Sequence, residues 1–351
     1  MKTLKPFLLR FFTLSGILFL LVFFSVLLVN PYGLIPNIGL KPVSSAQGVP
    51  DLFTVMYRIS SNDYETAIVG SSLTNLMDPK EVERISNTST VNLSVSGLEV
   101  SSTCEIINLI KKKSGVKNII LCVDFWHYFK SPEYIEAGKV ASKYLIDGKK
   151  NVNDIKTFFG FNAILATFKS LYLEITKQKI DVNNRAALTK KWVFSEQNAY
   201  RAYKKYNVKR RLNLDDYTFI KANYLKNLNK LHQEVKKSEN INFKIFFPPC
   251  SILKYKVYEK ENILDEIVNF RAAFIKTFLQ EKNVKVYDFS NNKKIIENLN
   301  NYMDVYHYDQ NIANKIIDEL FNDSSQVTTP LSMQSKREFV KYVKSYNTKE
   351  L

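Results

Sequence analysis

Near the end of the chain Asn301 to Gln310 reads N-Y-M-D-V-Y-H-Y-D-Q, with Asp304 and His307 three residues apart. At that spacing one short loop lets the carboxylate hold the imidazole by one ring nitrogen while the other nitrogen faces a serine hydroxyl. That is how an enzyme turns a weak nucleophile into a strong one. A serine in a suitable place lies far upstream, where Tyr64 to Asp78 reads Y-E-T-A-I-V-G-S-S-L-T-N-L-M-D. An apolar run ends in Ile68 and Val69, Gly70-Ser71-Ser72 turns the backbone, and a helix-like segment begins. In open α/β sheets the carboxyl ends of strands are where ligands bind, since backbone N–H groups are unpaired there and the next helix presents its positive end. The plainer reading of Ser71 or Ser72 is a helix cap. The Asp-x-x-His segment, which holds one of only three histidines in the chain, tips the balance toward chemistry.

The elements that must position these residues follow from pattern. Strands are expected up to Val69, at Val91 to Val95, Lys117 to Val123, Phe243 to Phe247 and Val284 to Phe289. Helices are expected at Pro79 to Ile85, Leu98 to Lys113, about Asp216 to Lys237, about Tyr258 to Glu281 and about Asp309 to Phe321. Alternation of this kind argues for a parallel sheet, and five strands with helices between them predict a flavodoxin-like three-layer α/β/α sandwich. The alternation breaks at residues 125–215, which read as a mostly helical insertion at the sheet's carboxyl edge, placed to cover a site and choose its substrate. Aromatics there (Trp126, Phe129, Phe161, Tyr172 and Trp192 among them) either stack on sugars or build a small subcore. The domain plan is a tip and membrane helix at 1–30, a Pro/Gly-rich connector at 31–63, a domain at 64–321 and a polar basic tail at 322–351.

Gly70-Ser71-Ser72 after the first strand, with Asp304-x-x-His307 near the end of residues 64–320, resembles the SGNH (GDSL-like) hydrolase superfamily. The resemblance makes Ser72 the nucleophile, as third residue of the block in which the family has Gly-Asp-Ser; Ser71 replaces the aspartate. It implies that Asp304 orients His307, and that Gly97, in Asn92-Leu93-Ser94-Val95-Ser96-Gly97, lends an N–H to an oxyanion hole beside that of Ser72. Where the family has a hydrogen-bonding asparagine after the third strand this chain has Asp124, which cannot donate when ionised. Trp126 and His127 follow at once and are expected to approach substrate. Membrane-anchored members add or remove acyl groups on surface glycans, some beside a membrane-bound O-acyltransferase. The implied activity is therefore a serine esterase or O-acyltransferase on a glycan or an acylated small molecule. A non-catalytic binding module on the same scaffold is the alternative, favoured by Ser71 and Asp124.

Lys2, Lys5 and Arg10 precede Phe11 to Val29, an uncharged run of nineteen residues. As a helix this run would be about 28 Å long, close to a hydrocarbon core of about 30 Å. It reads as a single-pass anchor in the cytoplasmic membrane, and the positive flank puts the following domain on the extracytoplasmic side. The net charge of +16 is spread as single lysines, without a nucleic-acid motif, so no nucleic-acid partner is expected. Cys104, Cys122 and Cys250 are odd in number, at unrelated spacings, and fit small apolar core positions. The sequence has no metal-ligand spacing, phosphate loop or dinucleotide glycine motif, so neither cofactor nor metal is expected.

Overall fold

A computed structural model describes residues 4–31, 55, 58–59, 63–113, 115–130, 159–176, 192–206 and 217–348. It divides into two compact units, Met1–Ser61 with Glu136–Asn183, and Asn62–Ile135 with Asn184–Leu351. The first contains helix α1 (Leu4–Val29) and helix α5 (Phe161–Ile175). Among the described residues one helix is long and apolar enough to cross a membrane, Lys5–Val29. The connector expected at 31–63 lies almost wholly outside the described residues, as do Phe158 and the basic residues Lys209, Arg210 and Arg211.

The second unit is α/β, with a mostly parallel six-stranded sheet. Its strands are β1 (Thr66–Val69), β2 (Thr90–Asn92), β3 (Asn118–Cys122), β4 (Asn242–Phe247), β5 (Val284–Asp288) and β6 (Gln326–Val327), in the order β2-β1-β3-β4-β5-β6. β1 is buried at every position, as are Ile119 to Cys122 in β3. Such continuous apolar runs suit parallel strands covered on both faces. The register pairs Ile68 with Ile120 and Ile120 with Lys244, so the carboxyl ends of β1, β3 and β4 finish on one edge. β6 pairs antiparallel with β5. Five strands are expected from the sequence; β6 is a two-residue pairing, too short to leave a pattern.

The helices of this unit are α2 (Pro79–Ser86), α3 (Val100–Lys111), α4 (Phe125–Tyr128), α6 (Glu196–Lys205), α7 (Tyr217–Lys236), α8 (Ile252–Lys260), α9 (Leu264–Phe278), α10 (Lys293–Ile296), α11 (Gln310–Asn322) and α12 (Met333–Ser345). Local chemistry sets their ends. Asp78 accepts from the Lys80 N–H and Pro79 opens α2, Ser195 accepts from Asn198 ahead of α6, and Asp309 accepts from Ile312 ahead of α11. The single helix expected over Tyr258 to Glu281 is two. Asn262, in the left-handed region at φ +58°, stops α8, and the chain restarts at Leu264. Behind β4, Phe125 stacks on Phe247, with ring centroids 5.2 Å apart, and Phe270 and Phe274 of α9 meet them edge-on. Two α7 amides, Asn223 and Asn227, donate to the carbonyls of Phe129, Tyr128 and Lys130, which fixes the segment after β3.

Candidate active site

Gly70 carries the chain out of β1. A Cβ there would lie 2.7 Å from Thr74 Cγ2 and 2.8 Å from Cys122 Cβ, so only glycine lets the turn close against β3. Ser72–Thr74 then form a 3₁₀ turn, with Ser71 Oγ accepting from the Leu73 N–H. The turn is held from two sides. Beneath it, Asn92 Nδ2 donates to the carbonyls of Thr74 and Met77, and Thr74 Oγ1 lies 2.6 Å from Ser94 Oγ. From the far end of the chain, Tyr308 donates its hydroxyl to Leu73 O at 2.6 Å and Gln310 Nε2 donates to Leu76 O at 2.7 Å, across 235 and 234 residues of sequence.

The loop from Tyr302 to Tyr308 brings the imidazole. It is pinched by an antiparallel bridge between those two tyrosines and held by the turn after β4, where Ser251 Oγ donates to Val305 O and Tyr302 donates its hydroxyl to Pro249 O. Asp304 Oδ1 accepts the N–H groups of Tyr306 and His307 at 2.7 and 2.8 Å, wrapping the loop around the carboxylate. Asp304 Oδ2 is then 2.8 Å from His307 Nδ1, and His307 Nε2 is 2.8 Å from Ser72 Oγ. The tautomer that serves both contacts has the proton on Nδ1, donated to Asp304, so that Nε2 accepts from the Ser72 hydroxyl. Burial pushes the Asp304 carboxyl up. Its hydrogen bond with His307, the charge that ring carries when protonated and the two backbone N–H groups outweigh that and hold it below the ordinary carboxylate range. A hydroxyl, an imidazole and a carboxylate in line at these distances can pass a proton off the hydroxyl and back. Ser72, His307 and Asp304 are thus brought together.

The other residues singled out in the sequence fall as follows. The N–H groups of Leu93 and Val95 donate to the carbonyls of Ile68 and Gly70, so the chain leading to Gly97 runs beside the serine turn. Gly97 has φ +64°, where glycine is favoured. Asp124 is an acceptor. It takes the Ser71 hydroxyl at 3.1 Å and the Trp126 N–H at 3.2 Å, and its Oδ2 lies 3.3 Å from His127 Nε2. Burial raises this carboxyl too, but the charge and hydrogen bond of His127 and the bonds from Ser71 and Trp126 bring it below the usual range. An ionised Asp124 therefore offers no side-chain donor to an oxyanion. His127 is buried, and Trp126 packs edge-on against Tyr206 at 6.3 Å.

Sequence reasoning missed one neighbour of the imidazole and one residue behind the loop that carries it. Trp192 lies 4.9 Å from the His307 ring, centroid to centroid, although in the sequence it is only one among the insertion aromatics. Lys254 of α8 is buried in a cage of rings. Its Nζ is 3.7 Å from the centroid of Tyr206, 4.0 Å from Tyr306, 4.5 Å from Tyr258 and 5.3 Å from Trp126. Tyr306 sits between Asp304 and His307 in sequence, and its hydroxyl is 3.3 Å from those of Tyr206 and Tyr258. The cage backs the loop that carries the imidazole.

No protein-family model matches the chain, and no curated protein does. The site therefore stands on its own geometry. Among the described residues no cluster of three or more His, Cys, Asp or Glu side chains is arranged to hold a metal ion. The three cysteines are buried free thiols, and burial pushes that of Cys104 up to about 12, far from a reactive thiolate.

Proposed function

We propose that the protein is a membrane-anchored, extracytoplasmic serine esterase or O-acyltransferase acting on acyl groups, acetyl foremost, of a cell-envelope or exopolysaccharide glycan. The observation that carries this reading is the unbroken line Ser72 Oγ, His307 ring, Asp304 carboxylate, each contact at 2.8 Å. In the proposed reaction His307 Nε2 takes the Ser72 proton as Oγ attacks the acyl carbonyl, and the Ser72 and Gly97 N–H groups receive the oxyanion. The protonated imidazole, steadied by Asp304, gives its proton to the departing alcohol and leaves Ser72 acylated. Water or a sugar hydroxyl then attacks, its proton passing to His307 and on to Ser72 as the acyl group leaves. Trp192 supplies an apolar wall beside the ring, suited to a sugar face.

Strand order 2-1-3-4-5 supports a flavodoxin-like sandwich, whose ligands gather at the carboxyl edge where Ser72 stands. The SGNH resemblance, including the expected order of Gly70-Ser71-Ser72, Gly97 and Asp304-x-x-His307, supports the same assignment. Lys2, Lys5 and Arg10 favour an external catalytic unit. A membrane-bound O-acyltransferase is the proposed source of acyl groups. One observation favours a binding module instead: Asp124 accepts hydrogen bonds where the resemblance calls for a donor.

A serine-directed fluorophosphonate probe, applied to the full chain in detergent, separates the two readings. Labelling is expected on Ser72 and should vanish in Ser72→Ala. A folded wild-type chain that takes no label, or a Ser72→Ala chain that keeps it, would remove the reaction and leave the binding module.

A further inference from the structure

Helix α5 reads F-N-A-I-L-A-T-F-K-S-L-Y-L-E-I. At 100° per residue it has two unlike faces. Ala163, Ala166, Thr167 and Ser170 make one of small residues, while Phe161, Leu165, Phe168, Tyr172 and Ile175, at steps of four and three, make an apolar stripe opposite. In a water-soluble domain the stripe would be buried. Here the small face is buried, and Phe161, Phe168 and Ile175 are 73%, 58% and 78% exposed.

The neighbour of α5 explains the inversion. Within the same compact unit α5 packs against α1, and Phe23 of α1 stacks on Phe159, just ahead of α5, with centroids 4.5 Å apart. Val26 and Val29 of α1 are buried, whereas Phe7, Leu9, Phe12, Leu14 and Leu18 are exposed along the rest of that helix. Small residues let helices approach closely inside a bilayer, where there is no water to drive apolar side chains together. The Thr167 hydroxyl is satisfied internally, donating to Ala163 O at 2.8 Å, as hydrocarbon requires. The stripe of α5 therefore matches in character the exposed apolar side chains of α1, the helix on which it packs. Its fifteen residues reach about 22 Å, short of a core of about 30 Å, so α5 is too short to cross a bilayer.

We propose that α5 is a second membrane-embedded element, seated on α1 by its small face, with Phe161, Leu165, Phe168, Tyr172 and Ile175 among the lipid acyl chains. The proposal rests on the reading of α1 as a membrane helix. Lys169, on the flank of the stripe, has a stem long enough to bring its charge to the headgroups.

The test uses the wild-type chain in phosphatidylcholine–phosphatidylglycerol vesicles doped with a lipid that carries a photoactivatable diazirine in its acyl chain. Irradiation is expected to give lipid adducts on peptides from both residues 4–29 and residues 161–175. Adducts confined to 4–29 overturn the proposal while sparing the anchor; adducts in neither segment overturn both. A second measurement asks whether protein covers the stripe. A nitroxide on Phe168→Cys should collide more with oxygen than with a water-soluble nickel chelate, and one on Lys80→Cys should show the reverse. Exclusion of both quenchers at position 168 would point to a second copy or another chain as the occupant, and free access of the chelate to water; either result overturns the lipid assignment.

Discussion

Asp124 and His127 have the same three-residue spacing as Asp304 and His307, and each pair reaches one of two adjacent serines. The pairs nonetheless differ in kind. In the downstream pair the carboxylate takes Nδ1, the ring nitrogen nearer its own backbone, so Nε2 projects outward to Ser72. In the upstream pair the carboxylate lies against Nε2, and Ser71 is bound to the carboxylate instead of the ring. Exposure follows the same division, with the His307 side chain 20% accessible and that of His127 6%. Backbone form decides the outcome. Asp124 caps the short helix α4, which carries His127 inward with the chain, whereas Asp304 caps an irregular loop that is free to turn its ring toward the serine. An Asp-x-x-His spacing is thus no more than an opportunity, and which ring nitrogen faces the carboxylate determines whether a base results.

The comparison breaks most sharply if the two histidines prove interchangeable. Under the proposed reaction His307→Ala should slow fluorophosphonate labelling by about 10³-fold or more, since loss of a triad member leaves only binding and the oxyanion site. His127→Ala should keep labelling within about tenfold, on the order of 1.4 kcal/mol. Equal losses would mean that the buried pair takes part in the reaction.

Asp124→Asn sharpens the contrast at the next level. It replaces a charged acceptor of three groups and should destabilise the chain by about 2 kcal/mol, read as a lower denaturant midpoint. An unchanged midpoint with faster labelling would instead show that the position wants a donor. Both aspartates are held below their ordinary range when folded, so the stability they confer is present above the unfolded value of about 3.9 and is lost as pH falls through the lower folded values. Asp124→Asn should therefore flatten the acid limb of a stability–pH curve.

The smallest effect is expected behind the loop. Lys254→Met keeps the bulk of the side chain and removes the cation from its four rings, at a cost of about 1 to 2 kcal/mol. Because Tyr306 shares that cage with the imidazole loop, labelling should slow a few-fold while probe affinity holds. A labelling rate equal to wild type would confine Lys254 to stability.

These three levels also mark how much could be read from sequence. β1, β3, β4 and β5 were legible because continuous apolar runs between turn residues leave few alternatives. The three members of the hydrogen-bonded line were found because each sits in a short segment of unusual composition. The break at Asn262 was missed, although an asparagine after a helical run is a known left-handed stop. The lysine cage was out of reach, since Trp126, Tyr206, Lys254 and Tyr306 meet only after four separate segments pack. The roles of the two Asp-x-x-His pairs were equally hidden, because the helix that turns one of them inward is four residues long.

The 235-residue separation of Ser72 and His307 also sets a schedule. A ribosome adding about 5 to 20 residues per second needs on the order of tens of seconds to travel that far. During that time the serine turn has neither the base nor the tyrosine and glutamine that later clamp it. A chain that stalls anywhere between the two would carry the serine turn without the imidazole that the proposed reaction requires. Under the proposed reaction, chemistry at Ser72 thereby waits on a segment made long after the serine turn itself.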